Sequence, residues 1–560
     1  MSLTIKNHNS KKLLIIIFSL TFIVFLFTSD GHRYTIDESL AQDMAFRMTT
    51  LVPDPEYVQG ESKNYFHIPI FNPYNSGPIC SNGITCYPIG FFYSVTEVPF
   101  IAINHFFSII TTDTVVFDSY DFTDQHYNFW RNAEKPDLVF LELFYGPFFS
   151  ALSISVFFLI CLEHKFSKRT SIILSLLLSF STMIWAYSNT SLNVVPALFF
   201  ILLGYFFYKK SRVNRESQFL ILSSVSLAFS FLIRESSILF IFPIFILILI
   251  NVFRKQTKIH YFIYFIIPLF FSYFFSKFIH SLRYIDSKVT FEGEHIPTVT
   301  SSAVDTNGPA NAFVGAIFGE IITLVPILNP HFLLIPFLHA FYGLLFAPGL
   351  GLFIFSPILI TMFFSFPDFF RKNKSECILF LSFFLIHVYY FSNIGPSWHG
   401  LIGWGPRYLF MVIPFLLIPL GASLEQRNKK FMFALIIILG LLGVFFNITY
   451  VTQDVAWFVW SHPGSTTSGL YSLSSPNTIC DWTCQQLESN YYINNITIWT
   501  FQYSQLIQSI SLMFQTFQQD IYLLHFMGYN AYFAILLPTT SFLIYLLWRV
   551  SRRTFDTLIK

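Results

Sequence analysis

Several apolar runs of roughly 20 residues recur along the 560-residue chain, and each is long enough to cross a lipid bilayer. Apolar residues make up 54% of the sequence and charged residues only 11%, a balance that excludes a water-soluble domain. A segment inside lipid must satisfy its backbone hydrogen bonds internally, so runs of this length indicate helices. The sequence therefore predicts an all-α polytopic membrane protein.

The apolar runs predict about twelve transmembrane helices, with outer-face interfacial helices and loops between some of them. The predicted spans are residues 13–29, 138–160, 170–187, 191–208, 217–233, 237–253, 260–281, 341–366, 377–392, 406–422, 431–449 and 530–548. Two further apolar stretches, 90–110 and 312–328, are predicted to be interfacial or re-entrant. Inserting either one alone would invert the orientation of every loop that follows it.

Lysine and arginine cluster between alternate spans, which predicts the orientation of the chain in the membrane. The basic segments are residues 11–12, 165–169, 209–215, 254–258, 371–374, 427–430 and 549–553. We therefore expect both termini and five loops to be cytoplasmic in a multi-pass plasma-membrane protein. The large outward loops are then 30–137, 282–340 and 450–529. Residues 1–449 are expected to form a transmembrane module that includes the first outer loop, and residues 450–560 to add an outer loop and the last helix.

Four of the six cysteines lie in predicted outer loops, where disulfides persist. They are Cys80, Cys86, Cys480 and Cys484. Pairing of the first two and of the last two is one interpretation, and metal binding is the weaker one, because the spacing matches no zinc motif. Asn447 and Asn495 each begin a glycosylation sequon.

An acidic pair, Asp37 and Glu38, follows the first predicted span. Apolar residues then recur at helical spacing up to Leu51, so Thr35 is expected to cap a helix that lies on the outer membrane surface. In the structural interpretation Glu38 completes the cap and Asp37 complements the helix dipole. In the functional interpretation Asp37, beside the membrane, is a general base that activates an acceptor.

Arg407 lies at the predicted outer mouth of the tenth span, just after Pro406, a residue suited to the first turn of a helix. Its guanidinium could extend to lipid phosphates, or it could bind the phosphate of a lipid-linked substrate through two parallel hydrogen bonds. The polar and aromatic residues predicted to bind substrate beside it are Trp398, His399, Trp404 and Tyr408.

Arg234 and Glu235 lie at the predicted outer end of the fifth span. Adjacent opposite charges could simply pair with one another, or both could line a cavity at the level of Asp37 and Arg407. Other ionisable residues in or beside apolar segments are weaker candidates. These are Glu142, Lys277, Glu320 and His339.

Four segments in order along the chain resemble the C class of membrane glycosyltransferases (GT-C). The likeness is to the branch that contains the protein O-mannosyltransferases and the aminoarabinose transferase of lipid A, in its prokaryotic members. The segments are Asp37-Glu38, residues 87–99, residues 341–357 and residues 403–408. The chain has no Trp-Trp-Asp-Tyr-Gly sequence, which argues against an oligosaccharyltransferase.

This resemblance implies transfer of a sugar, with inversion, from a polyprenyl-phosphate (dolichyl-phosphate) carrier to a glycan, lipid or protein acceptor on the outer face. Asp37 would be the base. Such a donor already carries its leaving group, so no nucleotide cofactor and no nucleic-acid partner are expected, whereas a divalent metal stays an open question. The sugar, carrier and acceptor leave no readable residue code.

Two other classes are compatible with a chain of about twelve spans. A secondary transporter predicts two similar halves and charged or broken helices at the midplane, but the halves are not similar and the candidate charges lie at outer ends. A noncatalytic or scramblase-like protein predicts no need for Asp37 and Arg407 to share a cavity.

Overall fold

The described part of the chain consists of helices and connecting turns, without a β-strand, in agreement with the predicted all-α class. The computed structural model describes residues 8–31, 38, 41–42, 45, 48–49, 91–110, 139–214, 216–255, 258–283, 334–394, 398, 400, 403–426, 430–453, 496–501, 504–515 and 520–559.

The first ten helices in chain order are α1 (His8–Phe27), α2 (Phe91–Ile110), α3 (Val139–Glu163), α4 (Lys168–Phe180), α5 (Ile184–Tyr187), α6 (Val194–Asn214), α7 (Ser217–Ile233), α8 (Ile238–Phe253), α9 (Ile259–Arg283) and α10 (Leu334–Phe346). The others are α11 (Leu352–Phe355), α12 (Met362–Lys372), α13 (Lys374–Phe391), α14 (Ile413–Leu417), α15 (Leu420–Leu424), α16 (Lys430–Val451), α17 (Ile496–Trp499), α18 (Gln505–Gln515) and α19 (Tyr522–Ile559). Short 3₁₀ helices cover Glu235–Ser237, Pro357–Thr361 and Arg407–Val412.

Among the described residues, nine helical stretches are long and apolar enough to cross a membrane. The other three predicted spans also form helix, but in shorter or broken pieces. The span at 217–233 is a shorter apolar helix, and the span at 170–187 is divided into α4 and α5. The span at 341–366 is divided into α10, α11, the 3₁₀ helix Pro357–Thr361 and α12.

The breaks have local causes. After α4, the backbone N–H of Met183 donates to the Ser356 hydroxyl at 3.2 Å and that of Ile184 to the Thr182 hydroxyl at 3.4 Å, so side chains replace the regular helix acceptors. Between α10 and α11 the chain folds back so closely that a Cβ on Gly351 would lie 2.7 Å from the carbonyl carbon of Phe346. Only glycine permits that approach.

The helices pack around one aromatic-rich core. Helix α3 packs on α1 and α6, helix α7 packs on α6 and α9, and α19 packs on α1. Phe240, Phe383 and Phe415 are fully buried and lie within 5.6 Å of one another, centroid to centroid. Large side chains on α9, such as Phe271, are exposed instead, as expected for a helix that faces lipid.

Parts of three segments predicted to be cytoplasmic, 165–169, 209–212 and 371–374, meet at one end of the bundle, which we name the basic end (164–169, 209–212, 371–376 and 423–425). There the backbone N–H of Ser167 donates to Glu425 Oε1 at 2.8 Å, and Lys209 pairs with Glu376. The opposite end, named the outer end, contains the described residues 28–31, 38, 41–42, 45, 48–49, 185–193, 234–237, 398, 400 and 403–408. The compartment that each end faces stays a prediction.

The structure bears on several smaller predictions. The predicted helix at 90–110 is present as α2, whereas 312–328 lies outside the described residues. The sequon at Asn447 is not accessible for glycosylation, because its side chain is fully buried in α16 and donates to the Gly443 carbonyl at 2.7 Å. The four loop cysteines and Asn495 also lie outside the described residues, and Cys161 and Cys377 are buried free thiols.

Candidate functional site

Glu38 is fully buried at the outer end of the bundle. Its Oε1 accepts hydrogen bonds from the backbone N–H of Ser191 at 3.0 Å and from the Ser191 hydroxyl at 3.5 Å. Ala41, Gln42 and Ala45 on the same helical face are also buried. This face carries polar and small residues, so a search for apolar stripes would not select it. Asp37, its covalent neighbour, lies outside the described residues.

A layer of polar side chains extends from Glu38 into the bundle. Gln42 donates to the carboxylate of Glu142 on α3 and, at 3.0 Å, to the Ser191 hydroxyl. The hydroxyl of Tyr93 on α2 donates to the Ser191 carbonyl at 2.7 Å. Ser191 therefore links the helix of Glu38 with α2 and α3, and it fixes where that carboxylate lies.

Ser191 belongs to a short connection, residues 188–193, between α5 and α6. The Asn189 side chain donates to the Thr28 carbonyl at 2.9 Å and so ties the connection to the end of α1. Helix α3 approaches it so closely that a Cβ on Gly146 would lie 2.3 Å from the Ser188 carbonyl oxygen. A glycine is required there, and the connection is held from two sides.

Arg234 is bound to the same connection. Helix α7 ends at Ile233, and the extended backbone of Arg234 turns the chain into the 3₁₀ helix that follows. Its Nη1 donates to Asn193 Oδ1 at 2.7 Å, and its Nε donates to the Ser236 hydroxyl at 2.9 Å. Asn193 thereby orients the guanidinium.

Arg407 begins the 3₁₀ helix Arg407–Val412, directly after Pro406 as the sequence suggested. Gly400 and Gly405 on either side have φ values of +75° and +66°, which glycine adopts without strain. A Cβ on Gly400 would lie 2.9 Å from Arg407 Cγ, so the stem of the arginine rests against that glycine. These glycines let the loop wrap closely around the arginine.

Tyr408 brings the two arginines together. Its ring stacks on Phe391 at 4.4 Å with an interplanar angle of 2°. The guanidinium carbon of Arg407 lies 5.3 Å from the centre of the Tyr408 ring, and that of Arg234 lies 5.9 Å from it. Both distances are within the range of a cation–π contact. Two positive charges from separate helices thus meet at one aromatic ring.

Tyr187, at the end of α5, lies beside the loop that carries Arg407, and the sequence analysis did not select it. It is 2% exposed, and its ring packs on Phe410 at 4.6 Å. A Cβ on Gly403 would lie 2.9 Å from its hydroxyl oxygen and 3.5 Å from Arg407 Cβ, so the hydroxyl and the arginine border the same glycine. The hydroxyl therefore lies among the candidate site residues.

Trp398 and Trp404 occupy different parts of the outer end. Trp398 packs beside His339 and Trp499, with centroid distances of 6.4 and 6.1 Å. Trp404 lies edge-on to Phe355 and 4.4 Å from the Tyr450 ring. Both indoles are buried, and they support the loop that carries Arg407.

The structure does not place every candidate site residue beside Arg234 and Arg407. Glu235 and Lys277 are exposed, and the bonds of Arg234 described above lead to Asn193 and Ser236 instead. His399 and Glu320 lie outside the described residues. Within the described part of the chain, no group of three or more metal-binding side chains occurs.

The residues that sequence reasoning missed have a common signal. Tyr187, Ser191 and Asn193 lie in or beside the polar run 188–193, which interrupts two apolar stretches. Hydropathy alone indicates only a boundary between two spans at this run. A polar run that carries two asparagines between buried helices must satisfy many hydrogen bonds, and this requirement was the available clue.

One protein-family model matches the chain, over residues 145–276: dolichyl-phosphate-mannose-protein mannosyltransferase. The matched stretch contains Tyr187 and Arg234 and contains neither Glu38 nor Arg407. No curated protein matches the sequence. The match supports a membrane glycosyltransferase of the GT-C type and does not favour a secondary transporter.

Proposed function

We propose that this protein transfers a sugar from a polyprenyl-phosphate carrier to an acceptor at the outer face of the plasma membrane, with inversion at the sugar carbon. The observation that carries the proposal is the meeting of Arg234 and Arg407 at the Tyr408 ring, with the Tyr187 hydroxyl bordering the same glycine as Arg407. The reaction requires cationic groups for the departing phosphate and a carboxylate for the acceptor.

The arginines bind the phosphate of the donor. When the bond between sugar and phosphate breaks, negative charge develops on the phosphate oxygens, and oriented cations stabilise it most at that moment. Arginine suits this task because its planar fork of N–H donors matches phosphate geometry. Asn193 and the Gly400–Gly405 loop hold the two forks in place before the donor arrives.

The acidic side of the site acts on the acceptor. We assign the general base to Asp37, which removes the proton from the acceptor nucleophile as it attacks the sugar carbon. Glu38 accepts two hydrogen bonds from Ser191 and is buried, so its role is to position the chain next to Asp37.

The aromatic residues at the outer end complete the proposed site. Trp398 is buried and supports His339 and Trp499, whose half-buried rings offer faces on which a sugar can stack. Trp404 and Tyr408 hold the arginine loop, and His399 is assigned to the same substrate-facing loop. The family model that matches residues 145–276 makes dolichyl-phosphate-mannose the first donor to test.

The deciding experiment compares the wild-type protein with Asp37→Asn, purified in lipid nanodiscs. Asparagine caps a helix start as well as aspartate does, so folding and membrane insertion should be unchanged. A general base contributes about 10²- to 10⁴-fold, so transfer from a labelled polyprenyl-phosphate sugar should fall by that factor.

Glu163→Gln at the far end of α3 is the matched control, because it also replaces one acid by its amide, and it should transfer at the wild-type rate. Transfer by Asp37→Asn at the wild-type rate would remove Asp37 from the mechanism. If the wild-type protein transfers sugar from none of the polyprenyl-phosphate donors tested, the proposed function is wrong.

A further inference from the structure

The hydroxyl of Tyr187 is a buried polar group that the fold leaves without a hydrogen-bond partner among the described residues. The side chain is 2% exposed. A buried hydroxyl that makes no hydrogen bond is costly to the folded state, and natural proteins contain few of them. Phenylalanine would fill the same space against Phe410 without this cost. The oxygen at this position therefore needs a ligand.

The position of the hydroxyl indicates which ligand. A Cβ on Gly403 would lie 2.9 Å from the Tyr187 oxygen, so the hydroxyl points at the backbone that leads into Arg407. The same Cβ would lie 3.7 Å from Arg407 Cδ, so the hydroxyl and the Arg407 side chain border one glycine. Arg407 shares the Tyr408 ring with Arg234, so an anion bound by the arginines would lie close to the hydroxyl.

We propose that Tyr187 is a third ligand of the donor phosphate, and that its hydroxyl donates a hydrogen bond to a phosphate oxygen beside the two arginines. This inference rests on the proposed function. A hydroxyl that donates to an ionised oxygen makes a short, strong hydrogen bond. A neutral donor also adds a contact without adding a third positive charge to a crowded site.

The contact gives the phosphate a direction. Arg234 and Arg407 approach the Tyr408 ring from two helices, whereas Tyr187 reaches the site from α5. Hydrogen-bond donors from three separate elements fix how a phosphate group is rotated. Two cations alone would define that rotation less well. Tyr187 is therefore a binding residue that orients the leaving group.

The test is the variant Tyr187→Phe, which removes one oxygen and keeps the ring. Binding of three probes is measured to the protein in nanodiscs: polyprenyl phosphate, the uncharged polyprenol of equal length, and inorganic phosphate. Loss of a hydrogen bond to a charged group corresponds to about 10- to 100-fold in affinity, and we expect that loss for polyprenyl phosphate. Affinity for polyprenol should not change.

Tyr208→Phe is the matched control. Tyr208 is also buried, but it lies about 22 Å along α6 from Asn193 at a rise of roughly 1.5 Å per residue. This variant should bind all three probes like the wild-type protein.

Each contrary result has a distinct meaning. Unchanged affinity of Tyr187→Phe for polyprenyl phosphate would overturn the contact while leaving the proposed function intact. An equal loss for polyprenol would overturn it too, because the phosphate would then not be the group recognised. A loss for inorganic phosphate alone would overturn the assignment to a lipid-linked donor. A wild-type protein that does not distinguish polyprenyl phosphate from polyprenol would overturn the proposed phosphate site itself.

Discussion

The two ends of the bundle arrange buried charge in opposite ways. At the basic end the Glu376 carboxylate lies between Lys209 and His164, whose Nδ1 is 3.1 Å from Glu376 Oε2, so unlike groups are adjacent. At the outer end the guanidinium carbons of Arg234 and Arg407 lie 5.9 and 5.3 Å from the centre of the Tyr408 ring, so two like charges share one aromatic neighbour.

The difference separates structural charges from functional ones. A buried pair of opposite charges satisfies itself and holds helices together, although it adds little net stability compared with an apolar replacement. Two cations that share one aromatic ring gain from the electron-rich ring face instead. They concentrate positive potential where an anion binds. We therefore expect substitutions at the basic end to change stability and substitutions at the outer end to change donor binding.

The largest expected effect tests which end of the bundle faces outward, because an introduced cysteine either reacts with an external reagent or does not. In a variant lacking the native cysteines, a cysteine introduced at Ser475 should react with an impermeant thiol reagent applied to intact cells. Cysteines at Lys258 and Lys429 should react only after the membrane is permeabilised. External reaction at position 258 or 429 would reverse the assignment of the two ends.

The next effect is on stability at the basic end. Lys209→Met leaves the Glu376 carboxylate buried without its lysine, and loss of one partner of a buried pair costs about 3–5 kcal/mol in the free energy of unfolding. Transfer per folded molecule should stay at the wild-type rate. Denaturant unfolding in detergent measures the first quantity and a transfer assay the second.

Two controls define that result. Lys372→Met removes an exposed lysine of the same end and should change stability by less than about 0.5 kcal/mol. The double variant Lys209→Met with Glu376→Leu removes both charges and should recover most of the loss. A double variant as unstable as the single one would show that the ion pair is not what Lys209 contributes.

The smallest effect is on donor affinity at the outer end. Arg407→Lys keeps the charge and loses the two-pronged geometry, so affinity for polyprenyl phosphate should fall about tenfold, with stability nearly unchanged. Arg371→Lys is the matched control, because Arg371 is an exposed arginine of the basic end. Equal affinities for wild type and Arg407→Lys would support the alternative that Arg407 only reaches toward membrane phosphates.

Hydropathy and the positions of basic residues predicted much of the fold. The nine long helices of the described residues correspond to predicted spans, and parts of three predicted cytoplasmic segments meet at one end. Both signals work because the length of an apolar run and the placement of basic residues strongly constrain how a chain crosses a membrane. The breaks after α4 and α10 could not be predicted this way, since a hydroxyl that accepts from a backbone N–H or a close glycine contact leaves average hydropathy unchanged.

The residues of the candidate site also fall into those that the sequence could predict and those that it could not. Arg234, Arg407 and Glu38 were recognisable because a charge beside an apolar run is rare enough to need a reason. Tyr187, Ser191 and Asn193 were not, because their importance lies in partners from other helices. Sequence order carries no record of which side chain a buried hydroxyl or amide will meet.

The connection at residues 188–193 has a mechanical consequence. Ser191 holds Glu38 and Asn193 holds Arg234, and only Leu192 lies between these two positions, so they are at most about 7 Å apart even in an extended chain. The carboxylate and the guanidinium therefore share one reference point. A shift of this short stretch would carry both charged groups in step, so the spacing between the acceptor side and the donor side survives motions of the surrounding helices.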